Sequence, residues 1–149
     1  MANHVRRQIR EAVGTVLTGL STTGARVFQS RAYPLEQTDL PGLLISTASE
    51  SVEYIDIAAP ATQQRTLTVR VDALAKATAD LDDVLDGICK EVEVALASPG
   101  ATLAALAKSI MLAAVDVEVD ASGAQPIGRA SMEYRLVYFV YETAPDVAL

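Results

Sequence analysis

The sequence has no tryptophan, one histidine and one cysteine in 149 residues. A lone Cys89 cannot close an intramolecular disulfide, which fits a reducing compartment. One histidine and one cysteine cannot furnish a zinc site of the usual composition. Positive charge is also scarce: 12 Lys and Arg against 19 Asp and Glu leave a formal net charge of −7. A general nucleic-acid binder needs a basic surface to exchange for counterions, so that class is disfavoured. Aromatics make up 5% of the chain, and the core therefore falls to Val, Leu, Ile and Ala. No stretch approaches the roughly 18 uninterrupted apolar residues of a membrane span. The opening "MANHVRRQIREAV" has no apolar segment behind its charges, unlike a secretory signal. The expectation is a soluble protein with no membrane partner, made in the cytoplasm.

What is present is strong periodicity. Val5, Ile9, Val13, Val16, Leu17 and Leu20 are spaced by threes and fours, which predicts an amphipathic helix with Asn3 as its N-cap. Leu81, Val84, Leu85, Ile88, Val92 and Leu96 predict a second helix, capped by Thr78 and started by acids that suit the helix dipole. "ATLAALAKS" suggests a third, short helix. "ARVFQSRAY", stopped by Pro34, and "LLIST" read as strands. "RTLTVRVDALA" alternates cleanly, with Leu67, Val69, Val71 and Ala73 inward and Thr66, Thr68, Arg70 and Asp72 outward. "IMLAAVDVEVD" and "RASMEYRLVYFVYET" read as an antiparallel hairpin. Helices and strands do not alternate regularly. The fold class is therefore α+β, a mixed or antiparallel sheet of about five strands with two main amphipathic helices on one face. No internal repeat or linker divides residues 1–149, so they read as one domain.

Two segments resist this scheme. In the last strand, Met132, Tyr134, Leu136, Tyr138 and Val140 share one face, yet Val137, Phe139 and Tyr141 make the other face apolar too. Either the short helix or a neighbouring molecule covers them. Residues 49–64 carry Val52, Tyr54, Ile55 and Ile57 without holding one strand phase, and Pro60 interrupts pairing. They read as a hairpin-like arm or ordered loop outside the core, mobile until it meets a partner.

The candidate chemistry is sparse. His4 reads as exposed and idle, and Cys89 as a packing residue, because neither has a base or ligand partner near it in sequence. Asp80, Asp82 and Glu91 have the outer spacing of a calcium loop, but Val84 and Leu85 stand where a ligand and a glycine are required. No phosphate-binding glycine loop and no nucleophile elbow occurs. No cofactor and no catalytic residue is assigned, and the chain is not expected to be an enzyme. Arg6, Arg7 and Arg10 crowd the start of the first helix, against its dipole. Arg7 has Glu11 at i,i+4, whereas Arg6 and Arg10 have no local partner. They form either a solvated face or a docking surface for an acidic neighbour.

The succession Ile9-Arg10, Thr22-Thr23-Gly24, Ser30-Arg31-x-Tyr33-Pro34 and Leu40-Pro41 is distinctive, and so are the segments "RTLTVRV", "LDDVLDGICKEVEVAL" and "GRASMEYRLVYFVYET" that follow. Over nearly the whole chain they resemble the tail terminator (minor tail protein U-like) family of long-tailed bacteriophages. That resemblance implies a non-enzymatic virion protein, assembled in the host cytoplasm into a hexameric ring. Such a ring caps the tail tube, ends its polymerisation and presents a surface to head-completion or connector proteins. It also implies that DNA passes through the ring without specific binding. The near alternative is another head–tail joining or tail-completion component, and a more distant one is a small ligand-binding domain or enzyme. On this reading the candidate contacts with a neighbouring subunit or the tail tube are Arg6, Arg10, Val52, Tyr54, Ile55, Ile57, Val137, Phe139 and Tyr141.

Overall fold

The computed structural model describes residues 2–30, 37–77, 79–120 and 126–149. Helix α1 (Val5–Leu17) forms on the predicted stripe, and Val5, Ile9, Val13 and Leu17 are buried. Its cap is a correction. His4, not Asn3, is the N-cap, and its Nδ1 accepts the Arg6 backbone N–H at 3.1 Å. Asn3 instead offers its carbonyl to Gln8 Nε2 at 2.6 Å.

Strand β1 (Val27–Gln29) follows, then a single 3-10 turn (Gln37–Asp39), β2 (Gly42–Tyr54) and β3 (Thr62–Lys76). Helix α2 (Leu81–Ala97) and the short α3 (Gly100–Leu106) precede β4 (Ser109–Asp120) and β5 (Ile127–Tyr141). The N-cap of α2 is Asp80, in a left-handed conformation with no side-chain cap bond. Thr78, read from sequence as that cap, lies outside the described residues. So do Pro34, read as the stop of the first strand, and most of the connection between β4 and β5.

The strands form one five-stranded sheet in the order β1-β2-β3-β5-β4. β1 runs parallel to β2 and the other pairs are antiparallel, including the expected β4–β5 pair, so the sheet is mixed and the fold is α+β. The first and second helices pack on one face, over Leu43, Ile45, Leu67, Val69, Val71, Met132, Leu136 and Tyr138. α3 lies on that same side, against α1, with Leu103 fully buried in the same core. It therefore does not cover Val137, Phe139 and Tyr141. Gly128 lets the start of α2 approach β5: a Cβ there would stand 2.7 Å from Leu85 Cδ1 and 3.0 Å from Leu81 Cδ2.

The arm is the main departure from the sequence reading. Residues 49–54 continue β2, and residues 62–64 begin β3 in register with it. The pairing extends to β5, where Thr62 meets Tyr141 and Gln63 meets Val140. Ala61 and Gln63 are buried, so the base of the arm belongs to the sheet and only residues 55–60 stand beyond it. The phase breaks between Tyr54 and Ile55 because β2 ends there: Val52 and Tyr54 are strand residues, and Ile55 and Ile57 lie in the hairpin tip. A separate register shift lies before the arm, between Thr47 and Ser49. One extra residue in a strand switches every later side chain to the opposite face.

Candidate functional site

The polar residues that come together deep in the fold serve the subunit itself. Glu50 follows the bulge in β2, and its side chain points under the start of α1 with only 6% exposure. Its Oε2 accepts Arg6 Nη1 at 2.8 Å and Arg65 Nη1 at 3.0 Å. Its Oε1 accepts the Tyr138 hydroxyl. Arg65 also bonds the Gln63 side chain at 2.7 Å and lies 3.2 Å from His4 Nε2. Burial is the first cause that raises the Tyr138 hydroxyl well above the ordinary tyrosine range, and its bond to Glu50 adds to it. His4 is held below its usual 6.5, first by burial and then by the Arg6 and Arg65 charges. His4 is thus neither idle nor fully exposed: it ties the helix start to this network.

The network accounts for part of the basic cluster. Arg6 is the surface partner of Glu50, and Arg7 pairs with Glu11 at 2.8 Å. Arg10 lies over β2, with Nη1 3.4 Å from Thr47 Oγ1. On the other helix, burial pushes the Cys89 thiol up, with Glu93 and Asp86 adding to it, the opposite of what an activated nucleophile needs. Glu91 accepts both the backbone N–H of Thr22, at 2.9 Å, and its hydroxyl, at 2.5 Å, pinning α2 to the turn after α1. Among the described residues no three His, Cys, Asp or Glu side chains gather as a metal site would require.

The remaining candidates are surface residues, and the structure sorts them into separate places. Val52 and Tyr54 lie on the helix side of β2, past the point where α1 ends its cover, and Tyr54 is 58% exposed. Ile55 and Ile57 are in the hairpin tip. Asp56 Oδ1 accepts the N–H groups of Ala58 and Thr62 at 3.2 and 3.1 Å, which holds the turn and leaves Ile57 wholly in solvent. These bonds keep the Asp56 carboxyl below its usual range, the backbone bond from Thr62 first. Val137, Phe139 and Tyr141 lie on the sheet face away from the helices; the first two are half-buried and Tyr141 is exposed.

Sequence reasoning missed one surface. Val115, Val117 and Val119 do point to the helix side, opposite Met132, Ala130 and Gly128. Yet they are exposed, because β4 is the edge strand and α2 barely reaches it. Alternation alone could place these valines on a face but could not show that the helical layer stops short of them. The result is a sheet with bare apolar margins on both sides: Val52 and Tyr54 at one, Val115, Val117 and Val119 at the other. Singly exposed apolar residues are ordinary, whereas contiguous rows mark association surfaces.

No protein-family profile matches the chain, and no curated protein matches it. Among solved structures it is similar to a chain in the virion of a native gene transfer agent particle. The two are 12% identical, the match covers 90% of this chain and 92% of that one, and the TM-score is 0.39. None of the described helices is long and apolar enough to cross a membrane.

Proposed function

We propose that this protein is a virion component that caps a phage-type tail tube as a hexameric ring, ends tube polymerisation and offers its outer side to head-completion proteins. The observation that carries the reading is the pair of bare apolar margins on opposite sides of one sheet. A ring is built from heterologous contacts, in which one patch meets a different patch on the next copy, and this subunit has two such patches. The resemblance of the sequence to tail terminators gives that ring its place. The role is structural and non-catalytic: the best-connected polar cluster, around Glu50, is used up in internal bonds, and Cys89 is a packing group. The hairpin tip, with Ile55 and Ile57 held outward by Asp56, contacts the tail tube. The acidic balance of the chain suits a ring through which DNA slides without sticking.

A complementation assay tests this. Particles assembled without the protein should carry overlong tails without heads, and the wild-type chain should restore normal length. The Ile55→Ser/Ile57→Ser variant should keep the wild-type melting temperature, since both residues are exposed, and should fail to restore length. Tails of normal length in the absence of the protein would contradict the capping role and favour another head–tail joining function.

A further inference from the structure

We infer that the ring seam is a strand-to-strand junction, in which the β4 edge of one copy adds antiparallel to the free part of the β2 edge of the next. The inference rests on the ring reading above and says which surfaces close it. β1 pairs with Leu43, Leu44 and Ile45, so among the described residues β2 from Ser46 to Tyr54 has one side without a strand. β4 is the other edge, and among the described residues no strand lies on its outer side from Ser109 to Val119. Rows of open N–H and C=O groups are templates for another strand. Within the subunit β4 runs antiparallel to β2, as the pairings through β3 and β5 require. A rotation that sets two sheets side by side keeps that sense, so the seam is antiparallel.

The side chains fit the same arrangement. Val115 and Val117 would lie on the same side as Tyr54 and Val52, and the two bare margins would cover each other between the helical layers of adjacent copies. On the opposite side the same register sets Glu118 of β4 against Ser51 and Asp116 against Glu53, a single like-charge pair at the rim of the seam. The competing arrangement, β4 against β4 in a two-fold dimer centred on Val117, would set Asp116 against Glu118 twice, two like-charge pairs to the one of the heterologous seam. Like charges directly across a strand pair are unfavourable. It would also leave Val52 and Tyr54 bare on both copies, whereas a closed heterologous ring leaves neither margin open.

Cysteine cross-linking in a Cys89→Ala background tests the seam on the full chain. The double variant Val52→Cys/Val117→Cys should oxidise to a ladder that ends at the closed ring, and each single variant should stay uncross-linked. Val117→Lys should leave a folded subunit of unchanged circular dichroism and abolish the ring. Dimers from Val117→Cys alone would show the two-fold arrangement and overturn the inference. A wild-type ring with no ladder from the double variant, or a ring that survives Val117→Lys, would overturn the seam and leave the ring reading standing. A wild-type protein that is monomeric at every concentration, alone and with tail tubes, would overturn both.

Discussion

Glu50 is the residue on which most depends. It joins β2 to α1 through Arg6, to β3 through Arg65 and to β5 through Tyr138. Removing one partner of a buried ion pair strands the other, at a cost of about 3–5 kcal/mol. Arg6 is partly exposed and can turn to water, so Glu50→Ala should cost about 3 kcal/mol, the lower end of that range. Tyr138→Phe removes one hydrogen bond and should cost about 1–2 kcal/mol. Chemical denaturation of both variants checks the order. His4 adds a pH dependence. Its folded pKa lies below the unfolded 6.5, so the unfolded chain takes up the proton first. The contribution of neutral His4 is complete above pH 6.5 and is lost as pH falls through the lowered folded value. An imidazolium would present N–H donors to both the Arg6 amide and the Arg65 guanidinium, which are donors themselves. Melting temperatures should therefore fall between pH 7 and pH 5, and His4→Asn, which keeps an N-cap side chain, should flatten that part of the decline.

At the scale of elements, close approach of α2 to β5 is the most exposed to a single change. Gly128→Ala puts a methyl group 2.7 Å from Leu85 Cδ1, and overpacking of this kind costs about 1–3 kcal/mol. A lowered denaturation midpoint with an unchanged slope is the expected result. Much of this layer was legible in the sequence. The stripes of α1 and α2 and the inward faces of β3 and β5 are simple periods, and the structure buries most of them, with Val16, Leu20, Leu81 and Val84 only partly covered. Three things were not legible, each for a physical reason. The place where β2 ends has no sequence marker, so Val52 and Tyr54 of the strand and Ile55 and Ile57 of the hairpin tip looked like one irregular arm. His4 caps α1 through a ring nitrogen, although Asn is the usual choice at that position. Most of all, the exposure of Val115, Val117 and Val119 depends on where α2 lies across the sheet, a tertiary property that alternation along β4 does not encode.

For the whole molecule, the deciding property is association. A sheet covered on one face, with two open edges and apolar rows at both margins, is an incomplete surface for a lone subunit and a complete one for a closed ring. The formal net charge of −7 repels copies from one another, so ring formation should strengthen with added salt. The apolar rows predict the same direction, because excluded salts such as sulfate strengthen burial. The decisive experiment is native mass spectrometry of the purified 149-residue chain across a concentration series in volatile buffer. A ring-forming subunit should give a discrete hexamer in equilibrium with monomer, without a dominant dimer. A monomer alone at all concentrations, or a dimer as the end state, would contradict the ring.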